Sequence, residues 1–465
     1  MTIAAFTLGC KVNQYDTDTI LQEFSSKGFS IGEFDEMADI YIINTCTVTN
    51  ISDKKSRQII NRAYKQNPQA FIVVYGCYAQ VNPEALQKLE GVSLVLGTQY
   101  KDSLVEIVIS KFESHLKSMH ESNSGLKPDL NEQNLKSRLQ IYKKMSNCTN
   151  NLPKRTRAYL KIQDGCDRYC SYCIVPYARG PVKSRSMTSL LEEAKELVLS
   201  GCKEIVLTGI QIASYGNDVS NGNNVNNNLL LELIRQIHDI QGLQRLRLGS
   251  LDPSIIDETF LNTAISLPKL CDHFHLSLQS GCNETLLRMN RQYTVEQYAQ
   301  KVEQLHRLFP QGSITTDIIV GFPGETEDDF IQSLKFVEKM GFFRTHVFMY
   351  SPKEKTPAAE YKNQVDKKTK EHRSRVMRTL GEQMNNDFCT KYIGNVLSVL
   401  IESKIDLLNG SNKAETLWEG HTTQYITVRV KGNKKISNQN FENKIIPVRL
   451  KELQDGVMYG EVEAI

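Results

Sequence analysis

Between residues 3 and 115 short apolar runs alternate with amphipathic stretches. Ile3–Leu8, Ile40–Ile43, Phe71–Tyr75 and Val92–Leu96 are near-continuous in apolar residues, as strands covered on both faces are. Thr17–Lys27, Asp53–Gln66, Pro83–Leu89 and Asp102–Phe112 carry helical spacing. This alternation predicts βαβ units, hence an open parallel sheet with helices on both faces. A second series begins near Thr156. Strands are expected over Ala158–Ile162, Glu204–Leu207, Arg245–Leu248, His273–Leu278, Ile314–Val320 and Thr345–Met349. Helices are expected over Thr188–Leu199, Asn228–Ile240, Pro253–Ser266, Val295–Leu308 and Glu327–Lys339. Six β/α units suggest a partial (β/α)6 barrel with its site at the strand C-termini. A charged helix from Asp366 to Asn386 follows. Val396–Glu402, Tyr425–Val430, Ile445–Leu450 and Tyr459–Glu463 then read as short strands of a small β-barrel. The expected divisions are 1–116, a polar linker over 117–154, 155–386 and 387–465.

Composition narrows the class. Of 465 residues 40% are hydrophobic and 23% charged, an ordinary globular balance. The net charge of +3 is too small to establish a nucleic-acid partner by itself. No charged leader precedes the first strand, and no run approaches the ~20 apolar residues of a membrane helix. Eleven cysteines, an odd count, argue for reduced thiols and metal ligation in the cytoplasm over a disulfide framework. An Asn-rich stretch around Asn221 to Asn228 reads as a surface loop. No Ser/His/Asp or paired-carboxylate constellation supports hydrolysis.

The chemistry lies in two sets of cysteines. Cys166, Cys170 and Cys173 sit four and then three residues apart, in a polar loop just after the strand Ala158–Ile162. A structural zinc site needs four ligands, and no histidine occurs between His120 and His238. Three thiolates on one loop suit a [4Fe–4S] cluster with one iron left open. Cys10, Cys46 and Cys77 each follow one of the first three strands, where the topology brings their sulfurs together. With Gly9 and Gly76 beside two of them, they read as holding a second such cluster. Cys148, Cys202, Cys271, Cys282 and Cys389 read as structural or bystander thiols.

Cys-x3-Cys-x-aromatic-Cys, with Tyr172 as the aromatic residue, resembles the signature of radical S-adenosylmethionine (SAM) enzymes. Thr-Leu-Gly-Cys10-Lys-Val-Asn-Gln-Tyr, Asn-Thr-Cys46-Thr-Val and Tyr-Gly-Cys77-Tyr-Ala-Gln resemble the N-terminal, Rossmann/flavodoxin-like domain of radical SAM methylthiotransferases. The resemblance covers nearly the whole chain. It implies that the open iron chelates SAM and that the reduced cluster cleaves SAM to a 5′-deoxyadenosyl radical. A methylthio group is then added at C2 of the hypermodified adenosine next to the tRNA anticodon. It also implies SAM contacts from Tyr172, from Thr208 and Gly209, from Ser277 and Gln279, and from Gly321 and Glu325.

The C-terminal barrel resembles a TRAM domain, and its Trp418, His421, Tyr425, Arg429, Lys431, Lys434, Lys435 and Arg449 mix aromatic with basic side chains as RNA binding requires. It is expected to supply affinity and to be removable after about Asn386 with SAM cleavage intact. Partners expected are the tRNA anticodon stem-loop and a low-potential electron donor such as flavodoxin, with no membrane. Gly-Cys10-Lys-Val-Asn-Gln and Pro-Tyr-Ala-Arg179-Gly-Pro-Val-Lys183-Ser-Arg185 are most similar to the branch acting on threonylcarbamoyladenosine. Pro181 departs from that branch, where a basic residue is expected. A threonylcarbamoyl group carries a carboxylate, and a buried anion needs a cationic or hydrogen-bonded partner, so basic side chains favour that substrate over the apolar isopentenyl group. Lys11, Arg179, Lys183 and Arg185, with Arg429 and Lys431 on the barrel, are the candidate RNA contacts. The alternatives are action on isopentenyladenosine in tRNA or on a ribosomal-protein aspartate, or an RNA-binding protein whose clusters are structural.

Overall fold

The computed structural model describes residues 1–122, 156–219, 228–408, 414–431 and 440–463. Most of the polar segment 117–154 with its Cys148, nearly all of the Asn-rich stretch, and Lys434 and Lys435 lie outside the described residues. The chain divides into two compact units. The first comprises Met1–Pro153 with Cys173–Pro181 and Pro352–Lys355, and the second the remainder.

The first unit is a five-stranded parallel sheet built from β1 (Thr2–Thr7), β2 (Ser30–Gly32), β3 (Ile40–Thr45), β4 (Phe71–Gly76) and β5 (Val92–Leu96). The spatial order is β2-β1-β3-β4-β5. Every residue of β3 and β4 is buried. Alternate side chains leave opposite faces of a strand, so Ile40 and Ile42 join one core while Tyr41 and Ile43 join the other. Helices over Lys11–Ser26, Asn50–Gln66 and Leu104–Ser122 cover these faces. The first begins directly after Cys10 and not at Thr17, because extended Cys10 serves as its N-cap. The second is capped by Thr49, whose side chain accepts from Ser52 N.

In the second unit six parallel strands, the third of them in two segments, follow one another in space. Arg157–Lys161, Glu204–Thr208 and Arg245–Leu248 form one sheet. Ser250–Leu251, His273–Leu276, Ser313–Val320 and Arg344–Met349 form the next. The third strand is broken at Gly249, so its two halves pair on different sides. A single apolar core joins Leu160, Leu207, Leu246, Phe274 and Ile318 to the helices over Met187–Leu199, Val295–Leu308 and Glu327–Met340. The helix Lys367–Thr390 leads to a closed barrel. Its strands run, in spatial order, Val396–Leu408, Ala414–His421, Thr427–Lys431, Val457–Val462 and Ile445–Gln454. Ala414–His421 was not anticipated from the sequence, since Ala-Glu-Thr-Leu-Trp-Glu-Gly-His has no clean alternation.

The barrel is no tethered module. Its Thr422–Ile426 turn caps the N-terminal ends of the parallel strands. Arg245 donates to His421 O (2.9 Å) and Ser398 O (2.7 Å), and Arg247 to Thr423 O (2.9 Å) and Thr422 O (3.1 Å). Tyr425 stacks on His273 and on His421, with the Arg247 guanidinium 4.8 Å from its ring centre. Trp418 packs edge-on against Phe441 within the barrel core. The aromatic side chains that suggested base stacking are thus packed within the protein, which corrects that expectation for Trp418 and Tyr425.

Candidate functional site

In the first unit three adjacent strands end at cysteines. β1 passes through Leu8 and Gly9 to Cys10, β3 runs directly into Cys46, and β4 directly into Cys77. Gly9 has φ 106°, and a Cβ there would lie 2.8 Å from Cys46 Cβ and 3.1 Å from its Sγ. Gly76 has φ 107°, and its Cβ would meet Asn44 Oδ1 at 2.5 Å. Only glycine allows these close passes. Cys46 and Cys77 are buried and Cys10 is exposed. Burial pushes the Cys77 thiol up to about 11; the Arg179 guanidinium beside it favours the thiolate, while the other two sulfurs oppose it.

Arg179 defines this pocket. Its side chain is 2% exposed, and Nη2 donates to Asn13 Oδ1 at 2.5 Å and to Asp16 Oδ2 at 3.4 Å. Asn13 Nδ2 in turn donates to Leu8 O (2.7 Å) and Thr45 O (3.2 Å), tying together the turns that carry Cys10 and Cys46. Lys353 reaches the segment after Cys46, donating to Asp53 Oδ2 at 2.6 Å and Thr47 Oγ1 at 3.4 Å. Three converging sulfurs with an N–H donor among them suit thiolate ligation of an iron–sulfur cube. Arg179 itself was expected at the RNA. Its burial on Asn13 and Asp16 takes it from solvent and gives it a supporting role at these thiols.

In the second unit Cys166 and Cys170 lie on the loop after Gln163–Asp164. Burial pushes the Cys166 thiol up, and the Cys170 sulfur beside it adds to the rise. Tyr169 is held at φ 45° with its carbonyl accepting from Asn290 Nδ2, and Ser171 bonds to Met289 O and Arg288 O. Arg291 Nη1 donates to Cys170 Sγ at 3.3 Å, while Nη2 reaches Asp252 Oδ2 at 3.4 Å. Cys173 opens the segment that belongs to the first unit.

The other expected cofactor residues gather at the carboxyl ends of the same strands. Thr208 is buried at the end of its strand, and Gly209 passes Gln163, whose Oε1 would be 3.0 Å from a Cβ. Ser277 O accepts from the Tyr293 hydroxyl at 2.7 Å. Gln279, at φ 70°, is clamped to the neighbouring strand through Asp317 O and Ile319 N. Gly321 N donates to Glu325 Oε1, which also accepts from Arg373, both at 2.8 Å. Glu325 therefore braces the Gly-Phe-Pro-Gly turn. Tyr172 lies edge-on to Phe322 with ring centres 6.3 Å apart.

Of the candidate RNA contacts, Lys11, Lys183 and Lys431 are exposed. Arg185 pairs with Glu193 at 2.7 Å and Arg429 with Glu419 at 2.9 Å. Asn13, Asp16, Asp252 and Arg291 were not singled out from the sequence. The nearest clue was the position of Asn13 and Asp16 in the first turns after Cys10, on the face that helical spacing shares.

Comparison with known proteins agrees with this geometry. The Radical SAM superfamily profile matches residues 160–337, and one described as "Uncharacterized protein family UPF0004" matches residues 2–97. The chain is 36% identical to the Threonylcarbamoyladenosine tRNA methylthiotransferase MtaB of Bacillus subtilis, over 99% of this chain and 95% of that protein. It is 36% identical to the protein of the same name from Aquifex aeolicus, over 94% and 98%. Identity is 32% to the tRNA-2-methylthio-N(6)-dimethylallyladenosine synthase of Alkaliphilus oremlandii, over 98% and 91%. Among solved structures, the radical SAM methyltransferase TsrM of Kitasatospora setae shares the fold, with TM-score 0.52 and 18% identity over 77% of each chain. With relatives of this identity along almost its full length, the chain belongs to the radical SAM methylthiotransferase family.

Proposed function

We propose that this protein adds a methylthio group to C2 of N6-threonylcarbamoyladenosine next to the anticodon of tRNA. One observation carries the substrate: near full-length identity is 36% to enzymes named for that nucleoside and 32% to one named for dimethylallyladenosine. The cofactors are two [4Fe–4S] clusters and SAM. Cys166, Cys170 and Cys173 would hold one cluster, and Cys10, Cys46 and Cys77 the other. When bound, these groups supply radical and sulfur chemistry able to functionalise an aromatic C–H that is neither acidic nor electrophilic.

The protein's own share is positioning. The strand-end segments with Thr208, Gly209, Ser277, Gln279 and Gly321 border the SAM site, Tyr172 packs beside it, and Glu325 holds its turn rigid. Lys11, Lys183, Arg185, Arg429 and Lys431 meet the tRNA anticodon stem-loop, the last two from the TRAM-like barrel. A low-potential donor of the flavodoxin class supplies electrons, and the reaction takes place in the cytoplasm, away from any membrane. Free thiols at all ten described cysteines accord with a reducing compartment.

Two outcomes follow. Offered tRNAs carrying threonylcarbamoyladenosine or isopentenyladenosine, the reconstituted enzyme should yield methylthio product at least about tenfold faster on the first, a difference of ~1.4 kcal/mol. Preference for the isopentenyl tRNA, read by nucleoside mass spectrometry, would reject the substrate assignment. Separately, Arg291→Lys replaces a fork that can serve two acceptors with a point charge. Hydrogen bonds to cluster sulfurs help set reduction potentials, so the potential of the SAM-binding cluster should fall in a redox titration followed by EPR. An unchanged potential would confine Arg291 to packing.

A further inference from the structure

The parallel strands of the second unit turn one set of side chains to their apolar helices and the alternate set to the barrel interior. Phe274, Leu276, Ile314, Ile318 and Val347 belong to the first set. His275, Thr315, Asp317 and His346 belong to the second, on three neighbouring strands in register. Such an interior is ordinarily filled with branched apolar residues. Here it holds two imidazoles and a carboxylate. One donor atom from each of His275, Asp317 and His346 lies within 4.8 Å of the others.

We propose that these three residues bind a divalent transition-metal ion, of the class that accepts nitrogen and oxygen donors, separately from the iron–sulfur clusters. Three features support it. His275 Nε2 and Asp317 Oδ2 are 3.1 Å apart. Two ligands about 2.1 Å from one ion subtend that separation at roughly 95°. His275 Nδ1 is held by Thr315 Oγ1 at 2.9 Å, the kind of partner that orients a ligating imidazole through its other nitrogen. His346 is exposed and its ring lies beside that of His275, with ring centres 5.8 Å apart and planes 35° from parallel.

The hydroxyl of Thr315 also faces His273 Nε2, at 3.0 Å. If Thr315 donates to His273, it accepts from His275 Nδ1–H. His275 Nε2 then presents a lone pair to a carboxylate, two acceptors that a cation between them would reconcile. If Thr315 donates to His275 instead, Nε2–H donates to Asp317 and the cluster is satisfied without metal. Rotation of one hydroxyl thus lets the same side chains serve an empty and a filled site. Two imidazoles and one carboxylate leave coordination positions open, as in sites that bind water or a substrate oxygen. Asp317 O also accepts from Gln279 N at 2.8 Å, so the site hangs directly from a segment proposed to border SAM.

The test needs no turnover. Protein with both clusters reconstituted is equilibrated with Zn²⁺, stripped of loose metal by gel filtration, and analysed for zinc and iron together. One zinc per chain is expected in the wild type. Both His346→Gln and Asp317→Asn should lose it while keeping their iron, which also certifies their folding. Co²⁺ substitution should give visible d–d absorption without thiolate charge-transfer bands, excluding the cysteines as ligands. A wild type without zinc, zinc retained in both variants, or cobalt bands of thiolate character would each overturn the proposal. None of those results bears on the methylthiotransferase reading, because the site uses none of the six cluster cysteines.

Discussion

Replacing Cys166, Cys170 and Cys173 together with Ala is expected to remove about half of the iron and all SAM cleavage. Replacing Cys10, Cys46 and Cys77 should also remove about half of the iron, yet leave 5′-deoxyadenosine formation and abolish only methylthio product. The asymmetry follows from how each set is built. Cys10, Cys46 and Cys77 lie just past the ends of β1, β3 and β4 of the first unit, with Asn13 and Arg179 bridging their turns. Cys166 and Cys170 depend on the second unit, through Arg291, Asn290 and the main chain of Arg288 and Met289. No ligand is shared, so loss of one set leaves the other its supports. Iron analysis, EPR of the reduced protein and product chromatography check both variants. Full iron content in the N-terminal triple variant would remove the second cluster from the account.

Much of this arrangement is legible in the sequence, and the reason differs by element. β3 and β4 announce themselves because all their residues are buried, so burial appears as an unbroken apolar run. β2 has three residues at a sheet edge, none of them buried, and leaves no such trace. The cysteines are visible because spacing within a loop, or position after a strand, is a local property. The side chains that serve them are not local. Arg179 meets Asn13 across 166 positions of chain, and Arg291 meets Cys170 across 121. No spacing rule reaches that far. Composition misled at Tyr425 and Trp418, since an aromatic side chain among cations looks the same whether it awaits a base or seals an internal contact.

The same internal contact carries the largest stability prediction. Glu204→Gln should destabilise the second unit by about 3–5 kcal/mol, the usual cost of breaking a buried ion pair from one side. Glu204 is fully buried at the head of its strand, where its carboxylate accepts from Arg247 Nε at 2.7 Å and Nη2 at 3.3 Å. Arg245 stands 3.8 Å away and Arg157 4.0 Å. Burial alone would raise the carboxyl's pKa, but these guanidinium groups, Arg247 foremost, hold it below its usual value. A neutral side chain would leave the buried Arg245 and Arg247 and the half-buried Arg157 to the carbonyls of the C-terminal barrel, the Tyr425 ring and Glu402. The apparent Tm at fixed scan rate should drop by roughly 6–20 °C. Glu204→Gln combined with Arg247→Met removes both partners, and should recover part of that loss. Truncation after Asn386 would strip the acceptors from Arg245 and Arg247 as well, so it should destabilise the barrel floor and not simply weaken RNA binding. A truncated protein with unchanged Tm, or a Glu204→Gln variant as stable as wild type, would show that this floor does not depend on the ion pair or on the barrel beneath it.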